Sequence, residues 1–206
     1  MRFAGFIFLC LLSAYVVVYA VVAYGFLPLG LLVYPEMRKV FEAHRIGIYA
    51  HIFCSAFALA LGPVQFWTRF RNHYPSAHRW VGRIYLSVGV LVGGAAGLFM
   101  AFHAFGGIVP RLGFACLAIA WLYTGTQAFL AIRAGKVAEH RRWMVRNFGM
   151  TMAAVTLRIY LPLARAGGID FADAYPFVAW LCWVPNLFIA ELLFNRTRNA
   201  TIQQST

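Results

Sequence analysis

Six long apolar stretches, separated by short polar joints, constrain the fold of this chain more than any other feature. They lie at approximately 3–27, 46–68, 82–104, 110–132, 146–165 and 175–194. Each is close to the ~20 residues that an α-helix needs to cross a bilayer. Of the 206 residues, 62% are hydrophobic and only 12% are charged, which is far more apolar than a typical soluble domain. The sequence therefore predicts a single all-α integral membrane domain, a bundle of about six transmembrane helices, with a short cytoplasmic tail at 196–206.

The distribution of basic residues predicts how this bundle is oriented. The formal net charge is +12, but the Lys and Arg residues cluster in the joints between apolar stretches. There they suit lipid headgroups at the bilayer surface, and not nucleic acid. With the N-terminus inside, twelve of these residues lie on the inner side and five on the outer side. The positive-inside rule then predicts that both termini are cytoplasmic.

The chain also matches itself at a shift of 62 residues. The identical pairs include Cys54 and Cys116, Gln65 and Gln127, Arg71 and Arg133, His78 and His140, and Arg79 and Arg141. After one inserted residue, Trp80 matches Trp143 and Arg83 matches Arg146. We therefore expect a duplicated helical hairpin, spans two and three and spans four and five, about a pseudo-two-fold axis along the membrane normal. Spans one and six would lie at the periphery of this central bundle.

The repeated histidines suggest a haem b site and a role in membrane electron transfer. His78 and His140 would face each other across the axis at one depth, as the two axial ligands of a six-coordinate haem iron do. His51 and His103 form a weaker second pair toward the other side of the membrane. The side chains expected to bind haem propionates are Arg79, Arg83, Arg141 and Arg146. Interfacial anchoring explains the same Arg, His and Trp residues without a cofactor, so both interpretations stay open.

Polar side chains within the apolar stretches suggest a different site. Arg158 lies ~18 Å from the cytoplasmic end of its span, where a charge is costly and normally faces the bundle interior with a partner. Glu191 lies only ~6 Å deep, so we expect it to meet the inner basic cluster and not Arg158. Gln65 and Gln127 are expected to tie helices together by hydrogen bonds.

These polar residues support two further functions. The first is a carrier or binding protein for a small anionic ligand, an anionic lipid headgroup or a quinone. The second is a structural or assembly subunit of a membrane complex, whose motifs all serve as anchors. The sequence does not decide whether the chain is an enzyme. A run of small residues, GGAAG at 93–97, provides either close helix packing or room for a flat ligand, and packing is favoured.

Five motifs, taken together, resemble the domain-of-unknown-function 2306 family of predicted membrane proteins: LGPVQF, HRWVGRIY, HRRWMVRNF, TLRIYLP and WLCWVPN. The resemblance covers residues 44–194 and implies a multi-pass fold in a bacterial inner (plasma) membrane, with no established activity. The bundle is also faintly similar to cytochrome b561, in which four helices carry two pairs of haem-ligating histidines. On that pattern His78 and His140 would correspond to one pair. The other pair departs from the pattern, because span four contains no histidine.

Overall fold

A computed structural model describes residues 3–192 of the chain, and these residues form helices and connecting loops. In chain order the α-helices are α1 (Phe3–Val21), α2 (Pro35–Ala43), α3 (Arg45–Phe66), α4 (Thr68–His73), α5 (Pro75–Ile84), α6 (Gly93–Ala101), α7 (Ile108–Arg133), α8 (Val137–Thr151), α9 (Ala153–Ala166) and α10 (Phe171–Leu181). Two π-helical segments accompany them: Val22–Phe26 extends α1, and Tyr85–Val92 joins α5 to α6.

Within residues 3–192, five helical stretches are long and apolar enough to cross a membrane. They are Ala4–Phe26, Arg45–Phe66, Pro75–Ala101, Ile108–Arg133 and Phe171–Leu192. At most 39% of the most apolar window in each is buried within the protein, so large apolar side chains remain on the outside, as lipid requires. The predicted all-α membrane bundle is confirmed.

The remaining predicted span, 146–165, falls on α8 and α9, which are not among these five stretches. Arg146, Arg158 and Arg165 lie within it and lower its hydropathy, and a turn at Met152 separates the two helices. The predicted tail at 196–206, both chain termini and the last two residues of the span at 175–194 lie outside the described residues.

Proline and glycine set several helix boundaries. Pro35 and Pro75 begin α2 and α5, where the missing proline N–H would have no partner within the helix. Gly135 follows α7 with φ 73°, and Gly168 follows α9 with φ 80°. Side chains other than glycine rarely adopt this left-handed conformation, so these glycines let the chain turn back into the next helix.

Helices from the predicted spans two to five form the centre of the bundle, as expected. α3 packs along Tyr85–Val92 and α6, and α7 packs along α8. One buried core joins all four: Ala58, Tyr85, Val90, Trp121, Ala128, Met144, Phe148 and Met150. α1 packs against α3, and α10 packs against α7 and α9, which places both at the periphery.

Small residues allow α3 to approach its hairpin partner closely. A methyl group on Gly89 would lie 2.8 Å from the Ala58 Cβ, and one on Gly93 would lie 3.0 Å from the Ser55 Oγ. The first distance is too short for a real side chain and the second is tighter than most, so the two helix backbones approach closely along this seam. Packing is therefore one use of the small-residue run at 93–97.

Candidate ligand-binding cavity

Aromatic side chains close one end of the bundle, which we call the loop end because residues 27–34, 102–107 and 167–170 lie there. Tyr34 stacks on Phe171 with ring centroids 4.8 Å apart. Phe105 lies 5.1 Å from the Tyr34 ring. These contacts join loops that are more than sixty residues apart in sequence, and they hold the ends of the surrounding helices together.

A cavity of about 850 Å³ lies next to this aromatic layer. Its wall is built by α1, α2, α3, α6, α7, α8, α9 and α10 and by the segment that leads into α2. Most lining side chains are apolar. The polar ones that lie within these helices and the π-helical end of α1 are Tyr15, Tyr19, Tyr24, His51, Ser55, Thr151, Arg158, Arg165 and Tyr175. Pockets for small molecules commonly measure roughly 300–1,000 Å³ and combine apolar walls with a few polar groups, so this cavity is the best candidate site.

Arg158 supplies a positive charge to the cavity wall. Its Nη1 donates to the carbonyl oxygen of Ala154 at 2.9 Å. Its guanidinium carbon lies 5.0 Å from the centroid of the Tyr19 ring. Neither contact supplies a negative charge, and none of the ion pairs among the described residues includes Arg158. No carboxylate among the described residues therefore balances the charge of Arg158.

His51 supplies a hydrogen-bond acceptor to the same cavity. Its Nδ1 lies 2.9 Å from the carbonyl oxygen of Gly93. A carbonyl only accepts hydrogen bonds, so Nδ1 carries the hydrogen in the neutral ring, and Nε2 keeps its lone pair. Nε2 has no hydrogen-bond partner among the described residues. A methyl group on Gly97 would lie 2.6 Å from Nδ1, so only glycine there leaves room for the imidazole.

The two histidines of the weaker predicted pair both line this cavity, but their rings do not pack against each other. His51 and His103 both line the wall. The His103 ring instead lies 4.0 Å from the His44 ring, centroid to centroid, and its Nδ1 bonds to the Phe99 carbonyl oxygen at 3.0 Å. Within residues 3–192, no group of three or more His, Cys, Asp or Glu side chains could hold a metal ion.

The stronger predicted pair lies at the opposite end of the bundle, which we call the basic end because α4 and the first turns of α5 and α8 bring Arg residues there. His140 Nδ1 donates to the Ala128 carbonyl oxygen at 2.8 Å. His78 interacts electrostatically with His140 and Arg71, and its Nδ1 is buried without a hydrogen-bond partner among the described residues. Burial and the neighbouring Arg141 lower the pKa of the Arg71 guanidinium. The repeated histidines and arginines thus gather in one region.

The duplicated Trp–Arg motif adopts the same contact in both copies. Arg83 lies over the Trp80 ring at 4.8 Å, and Arg146 lies over the Trp143 ring at 4.7 Å. Arg146 also forms a bidentate ion pair with Glu191. Its Nε donates to Oε1, and its Nη2 donates to Oε2 at 2.8 Å. Glu191 therefore meets the arginines of the basic end and not Arg158, as its position along the helix indicated. Arg79, which also belongs to the predicted set, donates to the Ser76 hydroxyl at 3.2 Å.

The two glutamines do not form the predicted interhelical hydrogen bonds within the described residues. Gln65 is only 8% exposed, and its Nε2 has no partner. Gly82 faces the Gln65 side chain. A methyl group added to Gly82 would lie 3.3 Å from the Gln65 Oε1. Gln127 lines a second cavity of about 300 Å³ beside Trp143. Matching positions in the repeat thus have different surroundings.

A buried polar network that the sequence did not reveal joins the helices of spans three, four and five. The Tyr85 hydroxyl donates to Asn147 Oδ1 at 2.8 Å and lies 3.0 Å from Thr151 Oγ1. Asn147 Nδ2 donates to the Trp121 carbonyl oxygen at 2.8 Å and to Thr124 Oγ1 at 3.0 Å. Trp121 Nε1 donates to Thr151 Oγ1 at 3.0 Å. Trp121 and Thr151 also line the large cavity, so the network fixes part of its wall.

Comparison with known proteins gives a family and no nearer relative. The family model described as "Predicted membrane protein (DUF2306)" matches residues 48–194, which confirms the resemblance carried by the five motifs. The match covers α3 to α10 almost entirely, and therefore most of the cavity wall and most of the basic end. No curated protein and no solved structure matches the chain.

Proposed function

The chain belongs to the DUF2306 family of predicted membrane proteins, and on that premise we propose that it binds a small amphipathic anion in the cavity lined by Arg158, as a carrier or a binding protein. The observation that carries this proposal is a cationic side chain that lines a large, mostly apolar cavity without a carboxylate partner among the described residues.

The cost of the charge supports an anionic ligand. Placing an arginine at the centre of a membrane helix costs about 2.5–3.5 kcal/mol even on the most lenient scales. The contacts of Arg158 with Ala154 and Tyr19 are neutral and compensate only part of that cost. A carboxylate or phosphate group balances the charge and accepts paired hydrogen bonds from the guanidinium. A quinone carbonyl accepts a hydrogen bond but leaves the charge unbalanced, so a quinone fits this site less well.

The rest of the wall supports an apolar body on the same ligand. Leu31, Phe41, Phe114 and Leu157 line the cavity, and burying apolar ligand surface against such side chains is favourable at about 25 cal/mol per Å². The site therefore suits a molecule with one acidic headgroup and a hydrocarbon or ring portion, such as a lipid acid.

Binding of matched twelve-carbon ligands tests this proposal. We expect dodecanoate to raise the thermal unfolding midpoint of the detergent-purified protein in a saturable way, and dodecanol to do so much less. Arg158→Leu should lower the affinity for dodecanoate at least about tenfold, because a charge-assisted hydrogen bond contributes roughly 1.5–3 kcal/mol.

Arg111→Leu is the matched control, because Arg111 lies at the loop end but does not line the cavity. It should bind dodecanoate as the wild type does. Equal stabilisation by the acid and the alcohol, or equal affinity in the Arg158→Leu and wild-type proteins, would contradict the proposal.

A haem b protein is the second candidate, with His78 and His140 as axial ligands. It is supported by the electrostatic contact of the two imidazoles at the basic end and by the Ala128 carbonyl, which binds His140 Nδ1 and leaves Nε2 for a metal. Metal-ligating histidines usually have such a partner on the other nitrogen. Arg79, Arg83, Arg141 and Arg146 lie on the same two helices and would be the propionate partners. Such a haem would serve electron transfer within the membrane.

A reduced-minus-oxidised visible spectrum tests this candidate. Protein expressed with a haem precursor should show sharp α and β bands at near-stoichiometric haem, and His78→Ala or His140→Ala should abolish them. His73→Ala, at the exposed end of α4, should leave them unchanged. A flat spectrum from folded wild-type protein, or an unchanged one in both ligand variants, would exclude these ligands.

A further inference from the structure

We infer that the ligand's headgroup is a phosphate monoester, bound jointly by Arg158 and His51. This inference rests on the proposed function, because it assigns the headgroup of the same cavity. It names His51 as the residue that distinguishes a phosphate from a carboxylate.

The two side chains present opposite hydrogen-bonding character to one cavity. Arg158 can only donate, whereas the neutral His51 ring offers the lone pair of Nε2, because Nδ1 is engaged with the Gly93 carbonyl. Both side chains line the same cavity. A headgroup that satisfies both must contain acceptor oxygens and an O–H at the same time.

A carboxylate does not meet this requirement near neutral pH. It has only acceptor oxygens, so a carboxylate held by Arg158 would place an acceptor opposite the His51 lone pair. A phosphate monoester has a second pKa of about 6, so its monoanion is accessible near neutrality. Its charged oxygens can accept from Arg158 while its P–OH donates to His51 Nε2. The resulting complex contains one guanidinium, one monoanion and one neutral imidazole, and has no net charge.

Additional donors around the cavity favour the larger oxyanion. Tyr15, Tyr19 and Tyr24 line it together with Arg158. Their hydroxyls have no hydrogen-bond partner among the described residues. A phosphate monoester offers three terminal oxygens where a carboxylate offers two, so it can engage one more of these donors.

The position of His51 is fixed by its surroundings. Gly97 leaves no room for even a methyl group beside the ring, because a methyl carbon added there would lie only 2.6 Å from Nδ1. Ser55 Oγ lies 3.4 Å from the same nitrogen. The imidazole is therefore held in one orientation before a ligand arrives, which lowers the entropic cost of recognition.

Three ligands with the same twelve-carbon chain test the inference: dodecyl phosphate, dodecanoate and dodecanol, titrated against the purified full-length protein near pH 7. We expect dodecyl phosphate to bind roughly tenfold to a hundredfold more tightly than dodecanoate, the range that a charge-assisted hydrogen bond supplies. His51→Leu should remove most of this preference. His51→Gln, whose side-chain oxygen can accept from P–OH, should retain part of it. His73→Leu, at the other end of the bundle, should keep all of it.

The outcomes separate this inference from the function on which it rests. Equal affinity for dodecyl phosphate and dodecanoate, or an undiminished preference in His51→Leu, overturns the phosphate assignment, while Arg158-dependent dodecanoate binding leaves the proposed function standing. Failure of both acids to bind overturns both. Inorganic phosphate that competes as strongly as dodecyl phosphate overturns the assignment of an ester with an apolar body, because the headgroup alone would then account for binding.

Discussion

Replacing Asn147 by leucine is expected to lower the free energy of unfolding by about 3 kcal/mol, since three hydrogen bonds are lost and each contributes about 1 kcal/mol. Asn147 is 0% exposed, and its side chain bonds to the Tyr85 hydroxyl, the Trp121 carbonyl and the Thr124 hydroxyl. Leucine branches at the same atom and is no smaller than asparagine, so the substitution removes the hydrogen bonds without leaving a cavity.

Thermal unfolding of the detergent-solubilised protein measures this effect. A loss of that size in a domain of this length lowers the midpoint by roughly 6–12 °C. Asn72→Leu is the matched control, because Asn72 is exposed in the short helix α4, and its midpoint should stay within about 2 °C of the wild type, as for most surface substitutions. Equal midpoints for the two variants would show that the network does not hold spans three to five together.

Gly62→Ala is expected to be the second most damaging substitution, with a loss of roughly 1–3 kcal/mol, the usual cost of overpacking a core. The added methyl group would lie 2.0 Å from Cε2 and 2.4 Å from Cδ2 of the Phe148 ring. Phe148 is 5% exposed and packs on Phe66 at 5.2 Å between ring centroids. The ring therefore has little room to move away, and α3 must shift relative to α8.

Two further variants make this prediction specific. Gly25→Ala should leave the midpoint nearly unchanged, because nothing lies within 4 Å of the added methyl group. Combining Gly62→Ala with Phe148→Leu should recover part of the loss, because the smaller side chain vacates the space that the methyl group needs. If Gly62→Ala unfolds at the wild-type temperature, the close approach of α3 and α8 is wrong.

The sequence predicted those features that depend on composition along the chain. Apolar length indicated an all-α membrane bundle, since a bilayer demands about 20 apolar residues per crossing. The repeat predicted that Trp80 with Arg83 and Trp143 with Arg146 are equivalent, and both pairs form the same cation–π contact. Depth along the helix also predicted that Glu191 meets the basic cluster and not Arg158. Its partner in the structure is Arg146.

The features that could not be predicted from the sequence depend on contacts between segments that are distant along the chain. The cavity owes its aromatic closure to Tyr34, Phe105 and Phe171. The first two lie in loops and the third is the first residue of α10, so no helical periodicity relates them. Asn147 looks like any single polar residue in an apolar stretch. Its side-chain partners become evident only when α8 packs against α7, which carries Trp121 and Thr124, and when Tyr85 of span three reaches it. The environment of Gln65 could not be deduced either, because the facing residue is glycine and offers no hydrogen-bonding side chain.

The stability of the bundle and the proposed site share some residues. Trp121 and Thr151 belong both to the buried network and to the cavity wall, so the wall is built on the rigid centre of the bundle. The opposite wall is different, because α1 and the loop that follows it contribute Tyr15, Tyr19 and Leu31 and lie at the periphery. We therefore expect a ligand to gain entry on the side of α1 and to stop against α7.

The most direct test of the central claim is a native mass spectrum of the protein purified from cells in mild detergent, recorded for the wild type and for Arg158→Leu. The account predicts an adduct of one anionic amphipathic molecule on the wild-type protein and on the Arg111→Leu control, and its loss from Arg158→Leu. Identical adducts on wild type and Arg158→Leu, or a wild-type protein that carries only neutral lipid, would contradict the assignment of this cavity as an anion site.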